Sequence, residues 1–381
     1  MRARYELADI VRQSGSRFLS ERAVLPYHQK VLRAIAQCRT AALGGHVERC
    51  TACGLEHVSY NGCRNRHCPK CQGANRDKWI QARQDDLLDC RYFHVVFTLP
   101  ECLNIFCLHY PKELYDLLFL SAKQTLHTFG RDDQYLGAAM GAIAVLHTWG
   151  QNLSLHPHIH MLVPAGGLDT DGMQWIRSQK KFFLPVRALS KIFRARLMFL
   201  LLGALFDKSL IIPENWKDRN VAKELARLAN EKDWVVHSEK TRLSPAKIIE
   251  YLGRYIRRVA ISNHRIESVD DDKVCFDYKD YADRGKQKRM ELKPMEFIRR
   301  FMLHILPERF CKIRYYGILS IKNRTDKLVQ CWALLDKLQL PPRFEGLTMT
   351  QILELLTGRD YSLCPCCKTG HMQIYKPPNR D

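Results

Sequence analysis

The sequence predicts an α+β fold in which helices flank an antiparallel sheet and a small metal-binding module precedes it. Three observations support this class. Residues 91–100, 142–149 and 156–163 are rich in β-branched and aromatic side chains and include runs of alternating character, which is typical of strands. Residues 111–129 carry the apolar spacing of an amphipathic helix. Two Cys-x2-Cys pairs lie close together near the N-terminus.

The length of 381 residues suggests two or three domains. We predict that residues 1–85 form a helical N-terminus with the zinc-binding module. Residues 86–265 would form the domain with the sheet, including a helical insertion at about 185–232. Residues 266–381 would form a mixed, basic, DNA-binding region with a cysteine-rich end.

The charge of the chain indicates a polyanionic partner. Lysine and arginine number 60 against 40 acidic residues, which gives a formal charge of +20. Basic side chains that contact phosphates release counterions, so such a surface favours nucleic acid. The sequence shows neither a long apolar run nor the apolar core of a signal peptide, and we expect no membrane partner and a cytoplasmic, bacterial, nucleoid-associated location.

The two Cys-x2-Cys pairs predict a structural zinc site. The pairs are Cys50–Cys53 and Cys68–Cys71, at a spacing close to that of two-knuckle zinc modules. Each pair directs two thiolates to one point, and four thiolates complete a tetrahedral zinc shell. We therefore expect these four cysteines to bind one Zn²⁺. Further candidate ligands, which could replace a cysteine or bind a second ion, are His46, His57, Cys63 and His67.

The C-terminal stretch "CPCCKTGH" contains a third pair, Cys364-x2-Cys367, followed by His371. Only half of a zinc shell is present in this stretch. It could bind zinc with His371 and a partner from elsewhere in the chain, or it could be an ordinary cluster of reduced thiols.

The stretch "LHPHIHMLV" predicts a second kind of metal site. His156, His158 and His160 share one face of a strand because side chains alternate. The preceding strand carries His147 and returns through the short turn "GQNLS", which predicts a hairpin. His147, His158 and His160 can then converge on one divalent ion and leave positions open for a substrate, with His156 as an extra candidate. Histidines that merely pack in the core are the alternative.

The stretch "SPAKIIEYLGRYIRRV" predicts an amphipathic helix on which Tyr251 and Tyr255, four residues apart, lie one above the other. The pair falls at the border of the apolar and basic faces, where tyrosine is also common for ordinary amphipathic reasons. A metal that polarises a phosphate would allow a tyrosine hydroxyl to attack it. The candidate DNA-binding residues on this helix are Arg254, Arg257 and Arg258.

The motif His158-Ile159-His160, the pair in "YLGRY" and the cysteine module together resemble the IS91 family of transposases. This family is part of the HUH superfamily of single-strand DNA endonucleases. The resemblance extends from "CRNRHCPKCQ" through "HTWGQNLSLHPHIH" to "LPERFCKIRYYG".

The resemblance implies an HUH endonuclease fold for residues 86–265, with Mg²⁺ or Mn²⁺ at His147, His158 and His160. It also implies that Tyr251 and Tyr255 cleave single-stranded DNA at the ends of the element, which are expected to contain hairpins. Cleavage leaves a 5′-phosphotyrosine link, and strand transfer follows a rolling-circle-like route.

Three alternatives remain open at this point. A plasmid replication initiator or relaxase would use the same chemistry, a non-catalytic zinc protein would only bind DNA, and a histidine-metal hydrolase would form no covalent intermediate.

The stretch "KIRYYG" adds Arg314 and Tyr315, which could hold a phosphate and stack on a base, or could belong to a strand with a charged rim.

Overall fold

The structure is a computed structural model, which describes residues 3–72, 86–178, 185–212, 234–241, 259–281, 283–336 and 358–376 and scattered positions within 220–230 and 346–355. The strands are β1 (Gly45–Cys50), β2 (Glu56–Tyr60), β3 (Tyr92–Thr98), β4 (Gly141–Trp149), β5 (Leu155–Pro164), β6 (Gly166–Leu168), β7 (Trp175–Arg177), β8 (Val236–Lys240), β9 (Ile266–Val269), β10 (Val274–Asp280), β11 (Lys286–Leu292), β12 (Ile313–Gly317) and β13 (Met372–Lys376).

The α-helices are α1 (Leu7–Glu21), α2 (Pro26–Ala36), α3 (Asn104–His109), α4 (Pro111–Arg131), α5 (Val186–Phe206), α6 (Pro294–Met302) and α7 (Val329–Leu334). Short 3-10 turns cover Ala41–Leu43, Glu101–Leu103, Asn263–Arg265 and Ile321–Asn323, and a π-helical turn covers Arg324–Leu328. No helix in the described part of the chain is both long and apolar enough to cross a membrane.

The chain folds as two compact units, and neither is one continuous segment. Unit 1 contains Met1–Asp85, Arg257–Ile305 and Leu340–Asp381, whereas unit 2 contains Asp86–Ile256 and Leu306–Gln339. This division differs from the three consecutive domains that the sequence predicts. Strand pairing is the physical reason, because β13 joins β1 in unit 1 and β12 joins β4 in unit 2.

Unit 2 is built on a five-stranded sheet in the order β12-β4-β5-β3-β8, with every neighbouring pair antiparallel. The predicted hairpin is present as β4 and β5. The predicted α+β fold with a central antiparallel sheet and flanking helices is confirmed.

The core of unit 2 lies between one face of this sheet and the helices α4 and α5. Phe97 of β3 packs on Phe193 of α5, with ring centroids 4.8 Å apart. Leu189, Leu197 and Leu201 of α5 are fully buried in the same core. The sequence predicts a helical insertion at about 185–232, but α5 is an integral part of this core because its apolar face covers the sheet.

Unit 1 contains two three-stranded antiparallel sheets, in the orders β13-β1-β2 and β11-β10-β9. Helices α1 and α2 pack on each other, and α1 also packs on α6. In α6, Phe297, Ile298 and Phe301 are buried, and the ring of Phe297 lies 5.7 Å from that of Phe276 in β10. The first sheet positions the cysteine clusters described below.

Candidate metal centres

Three histidines of unit 2 come together at the hairpin of β4 and β5. His147 pairs directly with His158 across the two strands, and Val145 pairs with His160. One ring nitrogen from each of His147, His158 and His160 lies within 4.8 Å of the others. Strand alternation produces this arrangement, since residues two apart on β5 point to the same side. The opposite side of these strands belongs to the core with α4 and α5.

The ring of His158 is held in a defined orientation. Nδ1 of His158 donates to the carbonyl oxygen of His156 over 2.7 Å. This bond places the proton on Nδ1 and leaves Nε2 to act as the ligand atom of His158. The side chain of His156 is exposed and does not belong to the cluster that the structure describes. His156 therefore contributes its carbonyl oxygen, not its ring.

The imidazole of His158 is chemically suited to bind a cation. Burial lowers the pKa of His158 to about 4, because the charged form loses its hydration. The ring is therefore neutral at pH 7, which is the form that a metal requires.

We expect His158 to stay available as a ligand in mild acid, because its pKa is low. Protons compete with a metal for the ring, and a ligand with an ordinary pKa of about 6.5 would lose roughly 10-fold in affinity between pH 7.5 and pH 5.5. With a pKa of about 4, His158 contributes no such loss until the pH falls towards 5. Nuclear magnetic resonance of the histidine rings in the zinc-loaded, Mn²⁺-free protein would measure the titration of His158. A titration midpoint of His158 above pH 5.5 would contradict the prediction.

His94 of β3 supports the cluster from the neighbouring strand, and sequence reasoning missed it. Nε2 of His94 forms a 2.8 Å hydrogen bond with Nδ1 of His160, and the two rings are stacked at 5.1 Å. Burial, with a smaller contribution from His237, lowers the pKa of His94 to about 4. A neutral His94 can accept the Nδ1 proton of His160, which directs Nε2 of His160 to an ion. The one signal in the sequence was a histidine on a third predicted strand.

We expect His94→Ala to weaken Mn²⁺ binding by about 10- to 100-fold, the usual effect of losing the hydrogen-bond partner of a ligand histidine. Mn²⁺ affinity of the full chain would be measured, together with its thermal unfolding. His109→Ala, which removes an exposed histidine of α3, is the matched control and should leave the affinity unchanged. Equal affinities in both variants would remove His94 from the site.

Two further residues beside the cluster were also missed. The indole of Trp149 stacks on the ring of His147, with centroids 4.8 Å apart and planes 22° apart. Nζ of Lys312 lies 4.9 Å from the centre of the indole. The stack restricts the orientation of His147, and Lys312 places a positive charge beside the indole that forms this stack.

The candidate DNA residues of β12 differ in their surroundings. Arg314 forms an ion pair with Asp116 and lies 4.1 Å above the ring of Phe119, so its charge is already neutralised within unit 2. Tyr315 pairs with Ile143 across the strands. By alternation, Tyr315 projects to the side of the sheet that carries the three histidines. The structure thus places Tyr315 on the histidine side and Arg314 in an internal contact.

The tyrosine helix lies outside the described residues. This applies to Tyr251 and Tyr255 and to the three candidate DNA-binding arginines, Arg254, Arg257 and Arg258. Their roles therefore remain predictions.

Eight cysteines of unit 1 form two clusters, and they do not divide as the sequence predicts. One cluster contains Cys38, Cys63, Cys68 and Cys71, and the other contains Cys50, Cys53, Cys364 and Cys367. The two N-terminal Cys-x2-Cys pairs therefore do not share one shell. Each pair is completed by cysteines from another part of the chain.

The first cluster is the more enclosed one. Cys38 and Cys68 are buried, and their sulfur atoms are 3.5 Å apart. Cys71 lies 3.5 Å from Cys38 and 3.7 Å from Cys63. Cys38, which lies two residues after α2, was not a candidate in the sequence because it belongs to no Cys-x2-Cys pair.

Four surplus histidine candidates lie outside the two cysteine clusters that the structure describes. Two of them lie beside the carboxylate of Glu48: Nε2 of His46 is 3.2 Å from Oε1, and Nδ1 of His57 is 3.8 Å from Oε2. His67 is buried beside Cys68 but is not one of the grouped ligands. Nδ1 of His371 lies 2.8 Å from Oγ of Ser362. The shells consist of sulfur alone, which is the usual composition of a structural zinc site.

Comparison with known proteins identifies the class. Residues 141–327 match the family described as "Putative transposase", and residues 10–99 match the "Transposase zinc-binding domain". The chain is 43% identical over 375 residues to the putative transposase y4qJ of Sinorhizobium fredii, covering 96% of this chain and 94% of that protein. No solved structure matches the chain significantly. The chain is thus a transposase with an N-terminal zinc-binding domain.

A second relative defines the family. The chain is 29% identical over 321 residues to the transposase for insertion sequence element IS801 of Pseudomonas savastanoi pv. phaseolicola, covering 81% of this chain and 74% of that protein. The chain belongs to the IS91 family of transposases.

Proposed function

We propose that this transposase cuts and rejoins single-stranded DNA at the ends of its element by metal-assisted transesterification, in a rolling-circle-like route. The observation that carries the proposal is the cluster of His147, His158 and His160 on two paired strands of a transposase. A purely structural protein would gain little from three histidines in a buried cluster, since burying polar rings is costly.

The donor set favours Mn²⁺ over Mg²⁺ at this site. Mg²⁺ binds mainly oxygen ligands, whereas Mn²⁺, as a first-row transition ion, also accepts imidazole nitrogen, although less strongly than the later ions of that row. Three protein ligands leave coordination positions for phosphate oxygens. When bound, the ion would polarise the scissile phosphate and neutralise its charge.

Tyr251 and Tyr255 are the proposed nucleophiles. A free phenol with a pKa near 10 is a weak nucleophile at neutral pH, so its attack depends on an activated phosphate. The tyrosine hydroxyl loses its proton and its oxygen forms a bond to phosphorus. The bond from phosphorus to the 3′ oxygen breaks, and this oxygen takes up a proton to become a free 3′-hydroxyl.

The resulting 5′-phosphotyrosine link conserves the phosphodiester bond, so rejoining requires no external energy source. A 3′-hydroxyl from another strand can attack the link and release the tyrosine. Two tyrosines would allow the enzyme to hold one 5′ end while it cuts a second strand.

The charge of the chain supports DNA as the partner. A formal charge of +20 gives a salt-dependent attraction to the phosphate backbone. Lys312, which contacts the indole that stacks on His147, and Tyr315, on the histidine side of the sheet, are suited to contact a phosphate and a base, respectively.

The test is a covalent-adduct assay with the full chain. Single-stranded DNA from an element end is labelled on the part that lies 3′ of the cleavage site, which is the part that would become attached to tyrosine. The DNA is incubated with the protein and Mn²⁺, and the products are resolved on a denaturing gel. We expect the label to move with the protein, and to be lost in a variant with both Tyr251→Phe and Tyr255→Phe. The two single variants then assign the roles of the tyrosines.

The alternatives give different outcomes. Cleaved DNA without an adduct would indicate a hydrolase, and binding without cleavage would indicate a protein that only binds DNA. Either result with a verified element end would overturn the proposal. Adducts that form on a plasmid origin, but not on element ends, would indicate a replication initiator or relaxase.

A further inference from the structure

We propose that a zinc ion binds between Cys50–Cys53 and Cys364–Cys367 and fastens the C-terminal segment to the N-terminal sheet. This ion would be additional to one in the first cysteine cluster, so each chain would bind two. The matched zinc-binding domain covers residues 10–99 and therefore includes only half of this shell. Cys364 and Cys367 lie outside both family matches.

The sulfur positions fit one zinc ion. The sulfur atoms of Cys50 and Cys367 are 3.6 Å apart, and those of Cys53 and Cys364 are 3.7 Å apart. A tetrahedral shell with zinc–sulfur bonds of about 2.3 Å places its sulfur atoms about 3.8 Å apart. A disulfide would require about 2.05 Å. The four cysteines are thus spaced for a shared metal and not for two cross-links.

Both halves of the shell are shaped to hold thiolates. The backbone N–H of Ala52 donates to the sulfur of Cys50, and that of Cys366 donates to the sulfur of Cys364, both over 3.4 Å. The N–H of Gly370 donates to the sulfur of Cys367 over 3.4 Å. Hydrogen bonds from N–H groups stabilise the charged form of a thiol, which is the form that binds metal.

Gly370 allows the two halves to approach each other. A Cβ atom at this position would lie 2.6 Å from the sulfur of Cys50 and 2.6 Å from Cβ of Ala52. These distances are far below ordinary contact, so a larger residue would push the segment with Cys364 and Cys367 away from the segment with Cys50 and Cys53. The stretch "CKTG" therefore combines a ligand with the space that the opposite knuckle requires.

Backbone pairing brings the two halves together independently of the cysteines. The N–H of Thr51 donates to the carbonyl of His371, and the N–H of His371 donates to Oγ1 of Thr51, both over 3.0 Å. Strand β13 pairs with β1, where Cys50 lies opposite Met372. The guanidinium of Arg49 lies 4.0 Å above the ring of Tyr375. Cysteines 311 residues apart in sequence are thus positioned by the pairing of the two chain segments next to the cluster.

The experiment measures zinc bound per chain in the purified full-length protein by plasma mass spectrometry, after zinc has been removed from the three-histidine cluster with a weak chelator that leaves four-sulfur shells intact. We expect two zinc ions in the wild type and one in the variant with both Cys364→Ser and Cys367→Ser. Cys366→Ser is the matched control, because this exposed thiol lies between the two ligands and is not in the cluster. His371→Ala is a second control, and both controls should retain two ions.

A measurement on the wild type keeps the proposal testable if the double variant fails to fold. After replacement of zinc by cadmium-113, nuclear magnetic resonance should show two signals in the range of four-sulfur shells. One signal, or one zinc ion per wild-type chain, would overturn the proposal. So would two zinc ions in a folded double variant, or disulfides among the four cysteines found by thiol alkylation and mass spectrometry.

Discussion

Replacing His158 by alanine is expected to reduce metal-dependent DNA cleavage by about 1,000-fold or more, since an ion that polarises a phosphate contributes several kcal/mol of transition-state stabilisation. His158 is one of three clustered rings, and its Nδ1 is fixed by the carbonyl of His156. Without this ring the site has two protein nitrogens. The initial rate of cleavage of single-stranded element-end DNA with Mn²⁺ would measure the effect.

The same strand provides the control. His156→Ala removes a histidine two residues away whose ring is exposed and whose carbonyl still accepts from His158. We expect this variant to bind Mn²⁺ and to cleave DNA at nearly the wild-type rate. If His158→Ala also cleaves normally while remaining folded, the three histidines are not the metal site of the reaction.

The histidine cluster could be predicted from the sequence because its geometry is local. An antiparallel hairpin with a short turn fixes its own register, so His147 comes to lie opposite His158. His94 could not be predicted in the same way. It reaches His160 only because β3 pairs with β5, and nothing in the local pattern of either strand determines that neighbour.

The division of the cysteines into two clusters could not be predicted from the sequence, because it depends on contacts between distant parts of the chain. The Cys-x2-Cys spacing shows that two thiolates converge, but it does not determine which pairs share an ion. Cys38 is a single cysteine just after α2, and its proximity to Cys68 depends on the packing of unit 1. Cys364 reaches Cys53 through the pairing of β13 with β1. Long-range strand pairing also explains why the compact units do not follow the consecutive domains expected from the sequence.

Replacing Cys68 by serine is expected to unfold the N-terminal zinc-binding domain. Cys68 is 1% exposed and lies 3.5 Å from Cys38 in a cluster that joins α2 to the loop after β2. A structural zinc site stabilises small modules by roughly 10–16 kcal/mol, which is comparable to the whole stability of a domain. Loss of a thiolate from this shell therefore removes most of the free energy that holds the module together.

Zinc content, thermal unfolding and susceptibility to protease would be measured for Cys68→Ser. The control is Cys311→Ser, which changes an exposed thiol of unit 2 that lies outside the clusters of the described chain. We expect the control to keep its zinc and its unfolding temperature. A chelator that removes zinc from the wild type should lower its unfolding temperature as much as the substitution Cys68→Ser does. If Cys68→Ser instead retains full zinc content and an unchanged unfolding temperature, the first cluster is not a structural zinc site, because an intact shell requires that thiolate.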